Sequence, residues 1–114
     1  MTEPEDAMTA RPIELDDASF AEAIAKGTVL VEFYGTWCPP CKLLEPVLEE
    51  LAEKCAGRAV VAKLNVDENS EAAVEQSIAD IPTCIVYRDG VEKKRLFGAQ
   101  SLDTLAGVLE QALA

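Results

Sequence analysis

Residues 28–42 read TVLVEFYGTWCPPCK, an apolar run that leads into a pair of cysteines, and the rest of the chain is organised around them. The run from Thr28 to Tyr34 is nearly continuous in apolar residues, which is typical of a strand buried on both faces. Pro39 and Pro40 suit the first turn of a helix, where a backbone N–H has no partner in any case. This stretch therefore predicts a buried strand, a short loop and a helix that begins at about Pro39.

Further strands are predicted on both sides of this stretch. The sequence pattern places them at residues 13–15, 59–66, 83–88 and 91–97. The last two are separated only by Asp89-Gly90, a dipeptide that supplies the positive φ angles of a tight antiparallel hairpin. We therefore expect the two final strands to pair with each other.

Helical spacing of apolar residues predicts four helices. The first carries Phe20 and Ile24, with Asp16 or Asp17 as its N-cap and Gly27 at its end; the others cover residues 39–56, residues 70–78 and the segment that follows Ser101. The order β-α-β-α-β-α-β-β-α predicts an α/β fold, in which four helices flank a central mixed five-stranded sheet.

Composition limits the functions to consider. The 114 residues include 10 Lys+Arg and 21 Asp+Glu, and the net charge of −11 argues against binding to nucleic acid or to an anionic membrane surface. We predict one domain at residues 12–114, preceded by a poorly ordered acidic tail at residues 1–11. With no apolar run near the roughly 20 residues of a membrane span and no basic leader, the expected location is cytoplasmic.

The paired cysteines carry the chemistry. As N-cap of the helix, Cys38 would hold its sulfur at the positive end of the helix dipole, which favours the thiolate, and would accept a hydrogen bond from the Cys41 N–H. Residues three apart on a helix are close enough to form a disulfide. Half of a Cys₄ zinc site is the alternative, but Cys55 and Cys84 occur singly rather than as a second pair. Each of these two is most simply a small core residue, and a regulatory role for Cys55 is the alternative.

Three motifs together resemble the thioredoxin family. They are EFYGTWCPPCK at residues 32–42, Ile81-Pro82-Thr83 and Phe97-Gly98-Ala99, and the resemblance extends over residues 13–114. The usual Gly-Pro between the cysteines is replaced by Pro39-Pro40, a pairing that also resembles tryparedoxins and nucleoredoxins. The fold implied by this resemblance is the thioredoxin fold.

The resemblance implies roles for individual residues. Cys38 would be the nucleophile and Cys41 the resolving thiol, with their own disulfide as the redox group and no bound cofactor or metal. Residues implied to bind substrate are Trp37, Pro39, Pro40, Ile81, Pro82, Gly98 and Ala99, with Pro82 in the cis form. Implied partners are disulfide-containing proteins and an NADPH-dependent flavoprotein thioredoxin reductase as electron donor, and the implied oligomeric state is a monomer.

Glu32 stands where the family usually has a buried aspartate. It is the only charged residue of the run 28–34, and the resemblance implies that it accepts the proton of Cys41 through water. An exposed position on the strand face is the alternative. Lys63 is likewise the single charged residue of the strand 60–66, and a pair with Glu32 would offset part of the cost of burying both.

Three functions follow in order of preference. The first is a general protein-disulfide reductase that works by dithiol–disulfide exchange. The second is a dedicated electron donor to one partner, such as a peroxidase or a reductase, which Pro39-Pro40 would permit. The third is a non-catalytic assembly or holdase module with the same fold, which the intact cysteine pair disfavours.

Overall fold

The elements follow one another in the predicted order in the computed structural model, which describes residues 11–114. The strands are β1 (Ile13–Leu15), β2 (Thr28–Tyr34), β3 (Val60–Asn65), β4 (Thr83–Arg88) and β5 (Val91–Phe97). The helices are α1 (Phe20–Ile24), α2 (Pro39–Lys54), α3 (Ser70–Glu75) and α4 (Leu102–Leu113). The predicted tail at residues 1–11 lies outside the described residues, except for Arg11.

The five strands form one mixed sheet in the order β1-β3-β2-β4-β5. β1, β3 and β2 are parallel, whereas β4 runs antiparallel to β2 and β5 antiparallel to β4. This order places β2 in the centre, and all of its residues from Thr28 to Phe33 are buried, as its apolar pattern predicts. The loop that carries the cysteines therefore follows the central strand of the sheet.

Helices cover both faces of the sheet and create two cores. On one face, α1 and α3 pack against side chains that include Val29, Val31 and Phe33. On the other face, α2 and α4 pack against Leu30, Val61, Cys84 and Val86. Because side chains alternate along a strand, Glu32 shares the second face with Leu30 and lies beneath α2.

Three helices are shorter than predicted. The first was expected to end at Gly27 but ends at Ile24, with Ala25 as its C-cap. The helix expected at residues 70–78 ends at Glu75, because Ser77 adopts a left-handed conformation with φ of 57° and so cannot continue it. The helix expected to reach Ala56 ends at Lys54, with Cys55 as its C-cap. The hairpin prediction is confirmed, since Asp89 and Gly90 have φ angles of 51° and 85°.

The predicted N-cap of the first helix is wrong. Ser19 occupies that position, and the Asp16 carboxylate accepts a hydrogen bond from the Ser19 amide at 2.8 Å. The Asp17 carboxylate instead reaches α3, where it accepts hydrogen bonds from the amides of Ala72 (2.8 Å) and Glu71 (3.4 Å). Asp17 thus satisfies the free amides at the start of a helix more than 50 residues away in sequence.

Candidate active site

The paired cysteines lie at the N-terminus of α2, with Pro39 and Pro40 in the first two helical positions. Cys38 is the N-cap, as predicted: its backbone is extended, and its Sγ accepts a hydrogen bond from the Cys41 amide at 3.2 Å. The two residues form a disulfide, with their Cα atoms 5.2 Å apart. A sulfur in this position faces the positive end of the helix dipole, so the site favours the Cys38 thiolate once the disulfide is reduced.

Trp37 provides an exposed apolar surface beside the disulfide. The residue is 66 % exposed, and its indole Nε1 donates a hydrogen bond to Asp67 Oδ2 at 2.6 Å. The buried Asn65 side chain accepts hydrogen bonds from the backbone amides of Asp67 and Glu68, which fixes the turn that carries the Asp67 carboxylate. The Asp67 carboxylate thus lies beside the exposed indole and adds a charged group next to this apolar surface.

The second half of this surface comes from the segment before β4 and the segment after β5, which lie side by side at the open end of the hairpin. The Ile81–Pro82 peptide bond is cis, and the Gly98 amide donates a hydrogen bond to the Pro82 carbonyl at 2.8 Å. The side chains of Trp37 and Ile81 both lie close to Gly35. A Cβ atom on Gly35 would lie 2.9 Å from Ile81 Cδ1 and 3.0 Å from Trp37 Nε1, so a larger residue would not fit between them. A glycine at this position lets the Trp37 indole and Ile81 approach each other across the backbone.

The remaining residues predicted to bind substrate border the same surface. Pro39 and Pro40 are exposed in the first turn of α2, and Ala99 is exposed after β5. Phe97, which the sequence analysis did not single out, is 60 % exposed at the end of β5. Its position next to Gly98 in the quoted motif was the available signal. We group Trp37, Pro39, Pro40, Ile81, Pro82, Phe97, Gly98 and Ala99 as the candidate region for substrate docking and call it the docking surface. Within it Ile81 and Gly98 are half-buried and Pro82 is buried.

Glu32 is buried, not exposed on a strand face. Only 1 % of the residue is accessible, and its Oε2 has no hydrogen-bond partner within the described chain. Burial raises the pKa of Glu32 from the ordinary 4.5 to about 7, an effect that the positive charge of Lys63 partly opposes. The negative charges of Glu45 and Glu14 raise this pKa further. A carboxyl group with this pKa gains and loses a proton in the neutral range.

Lys63 is adjacent to Glu32 in register but does not form the predicted pair with it. Among residues 11–114, no ion pair joins the two side chains. The Lys63 ammonium lies instead over the Tyr34 ring, 4.9 Å from its centroid. A lysine has a long flexible stem, and the ring offers it a cation–π contact near the solvent, whereas direct contact with Glu32 would require further desolvation.

The other two cysteines are free and buried in the core beneath α2 and α4. Burial raises the pKa of the Cys55 thiol, and it raises the pKa of Cys84 to about 12, with the negative charge of Glu32 as a second cause. Both thiols therefore stay protonated at neutral pH.

Within residues 11–114, no group of three or more Cys, Asp and Glu side chains is arranged to hold a metal ion. None of the helices described is long and apolar enough to cross a membrane.

Three comparisons with known proteins agree with this geometry. The family model described as Thioredoxin matches residues 11–111. Thioredoxins of Staphylococcus aureus strains Mu50 and N315 are each 43% identical to the chain over 101 residues, which cover 89% of this chain and 97% of each relative. A solved structure of a mutant thioredoxin from Halobacterium salinarum NRC-1 superposes with a TM-score of 0.86 at 32% identity, covering 94% of this chain and 95% of that one.

Thioredoxins are protein thiol–disulfide oxidoreductases, and the Cys38–Cys41 pair has the spacing and the bond that this activity requires. The mixed five-stranded sheet with four helices matches the fold of the solved relative. The chain therefore belongs to the thioredoxin family.

Proposed function

We propose that the chain reduces disulfides of other proteins through Cys38 as nucleophile and Cys41 as resolving thiol. The observation that carries this proposal is the Cys38 sulfur at the N-cap of α2, hydrogen-bonded to the Cys41 amide at 3.2 Å. That environment stabilises a thiolate, which is the form that attacks disulfides. Among the three functions considered from the sequence, this is the one that the site geometry supports best.

The reaction transfers two electrons from the chain to the substrate. The Cys38 thiolate attacks one sulfur of the substrate disulfide; the substrate S–S bond breaks, a mixed disulfide forms and the first substrate thiolate leaves. Cys41 then loses its proton and attacks the Cys38 sulfur. The Cys38–Cys41 bond forms, the mixed disulfide breaks and the second substrate thiolate leaves. Each released thiolate is protonated, and the chain is left in its oxidised form.

We assign the proton from Cys41 to the Glu32 carboxylate, with water between them. The support is that Glu32 lies on the sheet face that α2 covers and titrates near neutrality because it is buried. A base with a pKa near the working pH is the most effective proton acceptor. Lys63 acts on Glu32 through its field, without a direct ion pair.

Substrate would lie on the docking surface around the disulfide. Its exposed apolar groups, above all Trp37 and Phe97, suit an extended segment of a partner protein. We propose an NADPH-dependent flavoprotein thioredoxin reductase as the electron donor. With a net charge of −11, the chain should favour a reductase with a basic docking patch, and the rate of its reduction should fall as ionic strength rises.

We also propose the cytoplasm as its compartment, because the two free thiols, Cys55 and Cys84, suit a reducing environment. The working unit proposed is a monomer without bound cofactor, whose redox group is the Cys38–Cys41 disulfide. A dedicated role toward one partner would use the same site. The two roles differ in breadth, so comparing insulin with a peroxidase disulfide as substrates separates them.

The test is insulin reduction with dithiothreitol as donor, and again with NADPH and a bacterial thioredoxin reductase. Cys38→Ser should abolish the reaction, because a hydroxyl cannot replace the thiolate. Cys41→Ser should accumulate a mixed disulfide with insulin, visible on non-reducing gels. Cys55→Ser is the matched control on the same helix and should keep full activity. Full activity in the Cys38→Ser variant would refute the proposal and favour a non-catalytic module.

A further inference from the structure

Four polar side chains form a row across the sheet beneath α2. Glu14 on β1 is in register with Lys63 on β3, which is in register with Glu32 on β2, which in turn pairs with Cys84 on β4. Residues paired in this way project from the same face of a sheet. Lys63 therefore stands between two carboxylates, the exposed Glu14 at the sheet edge and the buried Glu32 in its centre.

The Lys63 ammonium makes an ion pair with neither carboxylate within the described chain. It lies over the Tyr34 ring at 4.9 Å from the centroid, and the Tyr34 hydroxyl donates a hydrogen bond to Glu14 Oε2 at 2.8 Å. The Tyr34 ring and the Glu14 carboxylate are thus joined in one assembly, and the Lys63 ammonium is in contact with its ring. The ring attracts the cation by its negative face, and Glu14 adds a negative charge next to the ring.

An open cleft of about 420 Å³ borders this assembly, between α2 and the beginning of β1. Its polar lining consists of Arg11, Glu45, Glu49, Glu53 and Lys63. The charged and titratable groups around Glu32 come from several neighbouring elements: Glu14 from β1, Lys63 from β3, Cys84 from β4, Tyr34 from its own strand, and Glu45 from α2. Among residues 11–114, Lys63 is the one cation whose charge acts on the pKa of Glu32, although Arg11 lines the same cleft as Lys63.

We propose that Glu14 and Tyr34 are positioning residues for thiol–disulfide exchange: together they hold the Lys63 ammonium out of contact with Glu32, which leaves the buried carboxylate free to accept the proton of Cys41. This inference rests on the proposed role of Glu32 in the reaction. In the step concerned, the Cys41 S–H bond breaks and an O–H bond forms on Glu32, through water. A carboxylate in direct contact with an ammonium is a weaker base, because the contact stabilises its ionised form.

The test is the titration of the Glu32 carboxyl carbon by NMR in the oxidised, full-length chain. It compares the native chain with Glu14→Gln, Lys63→Met and the double variant, and Glu22→Gln serves as control. Glu22 is an exposed carboxylate on α1, which covers the opposite face of the sheet, so its removal changes the net charge equally at a distance. Gln at position 14 keeps an acceptor for the Tyr34 hydroxyl and removes only the charge.

Glu14→Gln should lower the Glu32 midpoint from about 7 by about half a pH unit or more, because the ammonium is then drawn toward Glu32. When Lys63 is already replaced by Met, Glu14→Gln should lower the Glu32 midpoint by less than half as much. The rate at which Cys41 resolves the mixed disulfide rises with pH as Glu32 ionises. In Glu14→Gln this rise should move to lower pH by the same amount as the Glu32 midpoint. Glu22→Gln should leave both unchanged.

Two outcomes would overturn the inference. An equal effect of Glu14→Gln in both backgrounds would mean that Glu14 acts by its direct field and not through Lys63. A shift no larger than that of Glu22→Gln would mean that Glu14 has no specific influence. A separate result would show that Glu32 is not the proton acceptor. The Glu32→Gln variant would then resolve the mixed disulfide at the native rate, while in the chain that keeps Glu32 its midpoint would still respond to Glu14→Gln and Lys63→Met as described.

Discussion

Replacing Glu32 by glutamine should stabilise the chain at neutral pH. The native structure buries this carboxyl group without a partner for its Oε2 among the described residues, and burial raises its pKa from 4.5 to about 7. The unfolded chain ionises Glu32 at the ordinary value. Between pH 4.5 and pH 7 the unfolded state therefore binds fewer protons at this site than the native state, and stability falls as pH rises through that window.

The size of the effect follows from the difference in pKa. At about 1.4 kcal/mol for each pH unit, the interval from 4.5 to about 7 corresponds to about 3 kcal/mol. Below about pH 4 both states are protonated and the cost vanishes. Above about pH 8 both are ionised and the full cost is present. Glutamine has nearly the same shape and cannot ionise, so the variant escapes this cost.

Urea unfolding of the oxidised chain at several pH values from about 4 to about 8 measures this difference. The free energy of unfolding of Glu32→Gln should equal that of the native chain at about pH 4 and exceed it by about 3 kcal/mol at about pH 8. Taking the difference between the two proteins cancels the titration of all other groups. Glu22→Gln, which removes an exposed carboxylate, should show no such trend. A difference that stays constant over this pH range would refute the reasoning.

Three further predictions concern other parts of the structure. Asp17→Ala leaves the Ala72 amide without its acceptor, so the free energy of unfolding in urea should fall by about 1 kcal/mol; an unchanged value would show that water replaces the carboxylate. Trp37→Ala should raise KM for insulin about tenfold with a smaller change in kcat, and a loss confined to kcat would contradict a docking role. The buried thiols of Cys55 and Cys84 should resist a thiol-specific reagent in the native oxidised chain and react on unfolding in guanidinium; rapid native labelling would contradict their burial.

The central features of the fold are predictable because they depend on local patterns. The buried run 28–34 becomes β2 within the same bounds, and the hairpin of β4 and β5 follows from Asp89-Gly90. The position of Cys38 as N-cap follows from the two prolines after it. In each case one short stretch of sequence determines the conformation, and the tertiary structure does not override it.

Features that join distant segments were not predictable in the same way. The Asp17 carboxylate could cap either the helix next to it or any helix that the fold brings near, and only the packing of β1 beside β3 selects α3. The Trp37–Asp67 hydrogen bond likewise depends on where two loops meet. For Lys63, the sequence identifies the strand, but its flexible side chain can contact neighbours on either of the two adjacent strands.

Because the Cys38 sulfur lies at the N-cap of α2, the acidity of its thiol and the stability of that helix are linked. The start of α2 stabilises the Cys38 thiolate, and by thermodynamic reciprocity the thiolate stabilises the start of α2 by the same free energy. The reduced protein should therefore hold its first helical turn more firmly above the pKa of Cys38 than below it. Amide hydrogen exchange at Cys41 would report this change, so the protonation state of Cys38 could be measured from the backbone.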